Sequence, residues 1–322
     1  MKTSRFCLGA MTFGSKLDRE ASGRVVDEAL DTGINFIDTA DSYGDSEKVL
    51  GEILTPEKRE KVFLATKVFK RFCRDGQVGR NSRVNITNSL HRSLRLLGTD
   101  YVDLYQLHHP DAETPLEETI ETLDTFIKQG KIRYVGVSNH YAWQMATMLG
   151  AAEAHNWLPI VSLQANYDIL DRQIERETVP FLNRFNIAMM CYGPLCGGIL
   201  TGKYHQAEGI PEGSRGETNE HIQNYLRSEV VDEVVDTLED LSKQTGLEMN
   251  QLAILWLKSK PHATAIILGG SRPDHFRQIY DVADRSLDEE VVERIDEVSE
   301  PRVFTSFKNQ PIEAGAELLP QP

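Results

Sequence analysis

The chain has 322 residues, 40% of them hydrophobic and 26% charged, enough to bury a large core and typical of a folded globular protein. A formal net charge of −14 disfavours a nucleic-acid backbone as partner, because no Lys/Arg cluster offers a local exception. No apolar signal core follows Met1, no window approaches a membrane span, and the four cysteines lack metal-type spacing, so a cytoplasmic protein with reduced thiols is expected.

In chain order, short apolar runs predict strands at 6–10, 35–38, 62–67, 102–107, 134–138, 160–164, 188–192 and 264–268. Between them lie stretches with apolar residues at three- and four-residue spacing, among them 21–32, 84–97, 116–129 and 141–155. Eight strands, each followed by a covering helix, predict a closed (β/α)8 barrel of parallel strands. No Gly/Ser- or Pro-rich linker divides the chain, so residues 1–322 are read as one domain. Two segments break the rhythm: 193–226, rich in Gly and polar residues, and the tail 301–322 with its prolines. Long excursions after barrel strands are where lids and substrate specificity reside, and plain surface loops are the alternative.

Four polar residues fall at or just beyond the ends of three successive predicted strands: Asp38 and Tyr43, Lys67, and His108. A barrel gathers its strand ends around one mouth, so these four side chains can meet. Singly, an Asp–Lys pair at strand ends is often a structural ion pair, and a Tyr after a strand is often packing. Together they suit carbonyl reduction. Hydride addition leaves an alkoxide that needs a proton, and a tyrosine is a poor donor near neutrality unless something stabilises its phenolate. A neighbouring Lys67 does that, Asp38 holds the lysine charged and oriented, and His108 can hydrogen-bond the carbonyl oxygen.

These segments, together with Gly33-Ile34-Asn35-Phe36-Ile37-Asp38-Thr39-Ala40, Leu107-His108-His109-Pro110, Val135-Gly136-Val137-Ser138-Asn139 and Leu200-Thr201-Gly202-Lys203-Tyr204, resemble the aldo-keto reductase superfamily over nearly the whole chain. The resemblance implies an Asp38, Tyr43, Lys67 and His108 tetrad with Tyr43 as general acid, and His109 as a loop residue. It also implies an NADP cofactor, with NADH less favoured. No Gly-x-Gly-x-x-Gly fingerprint follows the first strand, so the dinucleotide must be held by strand-end groups. By resemblance these are Ser138, Asn139 and Gln164 at the nicotinamide carboxamide and Tyr192 stacked on its ring, with Asp38 also among the cofactor-binding residues. Gly193, Pro194, Leu195 and Lys203 would grip the pyrophosphate, although Gly193 stands where the family has serine. Gly269, Ser271, Arg272, His275 and Gln278 would meet the adenosine end. His275 replaces the usual Gln or Arg and Ile279 the usual Asn.

The expected partner is a small carbonyl compound, with Phe13, Phe69, Tyr141, Trp143, Phe304 and Phe307 as possible pocket walls. The alternative is an NADPH-binding regulatory subunit with weak reductase activity, since potassium-channel β-subunits share this barrel. A hydrolase using two carboxylates is the more distant rival, because the only acids placed by the motifs, Asp38 and Asp41, are too close in sequence to assign as an acid/base pair.

Overall fold

In the computed structural model, residues 2–69, 80–204 and 210–300 are described. Eight parallel strands close on themselves in sequence order: β1 (Phe6–Gly9), β2 (Phe36–Asp38), β3 (Phe63–Val68), β4 (Val102–Leu107), β5 (Ile132–Ser138), β6 (Ser162–Asn166), β7 (Ala188–Tyr192) and β8 (Ala263–Leu268). The closing pair is β1 with β8, where Leu8 faces Leu268. The expected (β/α)8 barrel is therefore the fold of this chain.

Helices cover the outside. They are α1 (Arg19–Asp31), α2 (Ser46–Ile53), α3 (Pro56–Lys61), α4 (Arg83–Leu97), α5 (Leu116–Lys128), α6 (Ala142–His155), α7 (Thr178–Phe185), α8 (Glu220–Tyr225), α9 (Glu229–Thr245), α10 (Met249–Ser259), α11 (Pro273–Tyr280) and α12 (Glu289–Val298). Their starts carry local signals: Asp18 accepts a hydrogen bond from Ala21 N, and Ser82 accepts one from Asn85 N. Helix α4 ends on the left-handed Gly98. Where α2 crosses the end of α4, Gly51 is obligatory, because a Cβ there would lie 2.0 Å from Leu96 O. The main core lies between barrel and helices and includes Leu8, Leu64, Ile86, Leu90 and the fully buried Trp256 of α10, whose indole donates to Asp296 on α12.

Inside the barrel a second apolar layer, built from Cys7, Phe36, Ala65, Leu104, Met190 and Ala265, fills the lower half. Alternation along each strand then puts the next inward residues above it, at the C-terminal mouth. These are Asp38 on β2, Lys67 on β3, Gln106 on β4 and Gln164 on β6. Two strands differ by two residues from the sequence expectation, and the others by one residue or none. β5 begins at Ile132 rather than 134, because the exposed, charged Arg133 breaks the apolar run and hides the buried Ile132 before it. β6 is Ser162–Asn166 rather than 160–164, because Ser162, Gln164 and Asn166 interrupt the apolar run that marks its neighbours.

Candidate active site

The strand register sets the site. Lys67 lies beside Gln106 across β3 and β4, Gln106 beside Gly136 across β4 and β5, and Ser138 beside Gln164 across β5 and β6. Asp38 and Lys67 are both buried, and Lys67 Nζ donates to Asp38 Oδ2 at 2.5 Å, to Thr39 O at 2.9 Å and to Tyr43 OH at 3.4 Å. Burial alone would push the ammonium down, yet Asp38 and Tyr43 outweigh it and hold Lys67 above the usual lysine range.

Tyr43 hangs from the turn after β2, and the lysine lies 4.8 Å from its ring centroid. Burial raises the phenol, Lys67 lowers it, and burial wins. Lys67 stabilises the phenolate, as the sequence reading has it, but desolvation, which that reading left out, outweighs it. The phenol stays protonated at neutral pH. His108, edge-on to Tyr43 at 5.7 Å, is driven down to about 3, first by burial and then by Lys67 and His109. It is a neutral imidazole, and its buried Nδ1 has no partner among the described residues.

Asp38, Tyr43, Lys67 and His108 are thus brought together, and three neighbours join them. Gln164 Nε2 donates to Asp38 Oδ1 at 2.9 Å, and Gln106 Nε2 donates to the same oxygen at 3.1 Å. The left-handed Asn139 donates to His108 O and Ser138 Oγ and accepts from Tyr192 OH at 2.8 Å, so its amide ties β4, β5 and β7 together. Sequence reasoning missed Gln106. Its one signal is a glutamine inside the otherwise apolar Leu104-Tyr105-Gln106-Leu107, legible only once the register is known.

Of the aromatic residues considered for the pocket, Phe69 abuts the site, with ring centroids 5.3 Å from His108 and 5.0 Å from His109. His109, expected to be a loop residue, stacks on His108 at 5.1 Å. Phe13 is instead fully buried in the outer core, Tyr141 and Trp143 are exposed, and Phe304 and Phe307 lie outside the described residues.

The segment after β7 turns on glycines with positive φ. Gly193 has φ +72°, and a Cβ there would lie 2.5 Å from Asn166 Oδ1. Pro194 and Leu195 lead into a 3₁₀ stretch, Cys196–Thr201, in which Gly197 and Gly198 are also left-handed. Lys203 folds back over Gly198, its Nζ 2.6 Å from where a Cβ would stand. Next to this segment, after the neighbouring strand β8, Gly269 and Ser271 are exposed. Arg272 directs Nε and Nη2 at His275 Nε2, at 3.2 and 3.0 Å. Burial, Arg272 and Lys203 together lower His275, so this turn and the segment after β7 feel each other's charge. Gln278 is engaged elsewhere: its side chain accepts from Asn250 of α10 at 2.8 Å.

Residues 5–300 match the sequence model of the Aldo/keto reductase family. The chain belongs to that family. This aldo/keto reductase is 31% identical over 314 residues to the uncharacterized oxidoreductase YrpG of Bacillus subtilis (strain 168), covering 92% of this chain and 93% of that one. It is 32% identical over 298 residues to the aldo-keto reductase YhdN of the same organism, covering 90% and 88%. A relative from Arabidopsis thaliana named as a probable voltage-gated potassium channel subunit beta is also 32% identical, over 291 residues, covering 86% and 87%. Family and relatives make this chain an oxidoreductase. Among the described residues no helix is long and apolar enough to cross a membrane, and no group of three or more His, Cys, Asp or Glu could hold a metal ion.

Proposed function

We propose that this aldo/keto reductase reduces an aldehyde or ketone to an alcohol with NADPH, in the cytoplasm, with Tyr43 as general acid. The observation that carries the reading is the buried Asp38–Lys67–Tyr43 chain of hydrogen bonds ending beside a neutral His108. When bound, the nicotinamide supplies the hydride. Everything else falls to this chain's residues. Neutral His108 offers an N–H to the carbonyl oxygen and fixes its direction without adding charge. Tyr43 keeps its proton until negative charge develops on that oxygen and then donates it, and Lys67, fully charged beside it, stabilises the resulting phenolate. Asp38 keeps the lysine in place.

The residues suit a dinucleotide. Ser138, Asn139 and Gln164 present hydroxyl and amide groups at the mouth for a carboxamide, and Tyr192 presents a flat ring. The left-handed turn at Gly193, Pro194 and Leu195, with Lys203 folded over Gly198, leaves backbone and one cation for a pyrophosphate. Arg272, with Gly269, Ser271 and His275 around it, favours a 2′-phosphate, and hence NADPH over NADH. Gln278, held by Asn250, contributes at the edge of this end at most. We read 193–226 as a cover for the cofactor. Of its described residues, Ile199, Tyr204 and Ile222 pack with Val231 and Val235 of α9 as a small cluster of their own, while Leu200 is buried in the main core.

A second reading rests on the potassium-channel relatives: an NADPH-binding regulatory subunit with weak turnover. A screen of aldehydes, ketones and alcohols followed by nicotinamide absorbance separates the two. Robust turnover of any carbonyl supports the reductase, whereas tight NADPH binding with no turnover across the panel supports the sensor.

A further inference from the structure

We propose that Gln106 is a positioning residue of the proton relay, holding Asp38 so that Oδ2 stays on Lys67. The inference rests on the reading of Asp38, Lys67 and Tyr43 given above and adds to it a residue outside the tetrad. The two carboxylate oxygens of Asp38 have different partners. Oδ2 takes Lys67, while Oδ1 takes two amide donors, Gln106 Nε2 at 3.1 Å and Gln164 Nε2 at 2.9 Å. Without donors on Oδ1, the carboxylate would be free to swing about the Cβ–Cγ bond, away from the orientation that meets Lys67.

Three features show that Gln106 is built for this place. It is fully buried between Tyr105 and Leu107 near the end of β4, where an unbonded amide would be costly. It lies in register with Lys67 on one side and Gly136 on the other. Gly136 makes room: a Cβ there would lie 3.2 Å from Gln106 Cγ and 2.4 Å from Ser162 Oγ. The amide plane of Gln106 is also fixed from its other end, since Gln106 Oε1 accepts from Gln164 Nε2 at 3.4 Å.

The two glutamines are not equivalent. Both sit in the same layer at the mouth, but in the proposed reading it is Gln164 whose amide the nicotinamide carboxamide competes for. A cofactor that draws on Gln164 Nε2 takes a donor away from Asp38, and Gln106 then holds Oδ1 alone. Its contribution is therefore to turnover with cofactor bound more than to cofactor affinity.

The test uses the full chain with NADPH and p-nitrobenzaldehyde, comparing Gln106→Leu, Gln106→Met and Gln106→Glu with the parent. Leu or Met removes the donor. Expected is a fall in kcat of about tenfold or more, the size of one lost hydrogen bond to an ionised carboxylate, with NADPH Kd moved less than about threefold. Glu supplies a donor only when protonated, as an O–H to Asp38 Oδ1. Its kcat should approach that of the parent at acid pH and fall as pH rises through a new ionisation absent from the parent, Leu and Met profiles. A merely structural glutamine would not create that limb. Parent-like kcat in Leu or Met, or a parent-like pH profile in Glu, overturns the proposal. Tyr43→Phe, run alongside, tells the two readings apart: an active Tyr43→Phe removes the relay itself, whereas an inactive one beside parent-like Gln106 variants removes only the role of Gln106.

Discussion

The backbone of Gly193 passes so close to the side chain of Asn166 that a Cβ on the glycine would lie 2.5 Å from Asn166 Oδ1. With φ at +72°, this position disfavours the serine that the family resemblance leads one to expect. Gly193→Ser should therefore fail to improve cofactor binding. We expect a loss of stability of about 1–3 kcal/mol and weaker NADPH affinity, with partial recovery of both in Gly193→Ser combined with Asn166→Ala. Thermal melts and NADPH fluorescence titration check this, and a serine variant that binds NADPH more tightly would contradict it.

Arg272 and His275 form one unit, the guanidinium reaching the ring nitrogen from two of its nitrogens. Removing the guanidinium in Arg272→Ala should weaken NADPH by at least about tenfold and NADH by much less, because only the former presents a 2′-phosphate. Equal losses for both cofactors would show that Arg272 merely supports the turn.

Asp168, buried after β6, accepts hydrogen bonds on Oδ1 from Leu170 N and Asp171 N, while Oδ2 is buried without a partner among the described residues. Burial, with Asp171 adding, pushes its carboxyl up to about 7. The sign follows from proton binding: between the unfolded carboxylate value near ~4 and about 7 the folded state holds the extra proton, so stability falls as pH rises through that window. Asp168→Asn should remove this dependence. Melting temperatures from pH 4 to 8 should converge at the acid end and favour the variant at pH 8, and parallel curves would contradict the assignment.

If the segment 193–226 covers the cofactor, its opening should limit steady-state turnover of good substrates. NADPH deuterated at the transferring position should then show a small isotope effect on kcat and a clear one in a single turnover. A full effect on kcat, unchanged when the segment is shortened, would rule out gating.

Much of this was legible in the chain because barrel strands buried on both faces read as short apolar runs, and because Asp38, Lys67 and His108 sit where those runs stop. What was not legible depends on relations between strands. Gln106 looks like an interruption until β3, β4 and β5 are set in register. Gly193 reads as a missing serine until Asn166 is placed beside it. The direction in which Tyr43 moves depends on how dry its turn is, which no motif records. Phe13 and Phe69 are both aromatic residues near predicted strand ends, and only packing sends one to the core and the other to the site.

Tyr43→Phe is the most direct test of the account. Variants at Asp38 or Lys67 leave an unpaired charge in the barrel, at a cost of about 3–5 kcal/mol, and so mix folding with catalysis. The phenylalanine removes only a hydroxyl whose hydrogen bond to Lys67 is long, 3.4 Å. With p-nitrobenzaldehyde and NADPH, kcat should fall at least about 10²-fold, with NADPH Kd within about twofold of the parent. Turnover within a few-fold of the parent would contradict it.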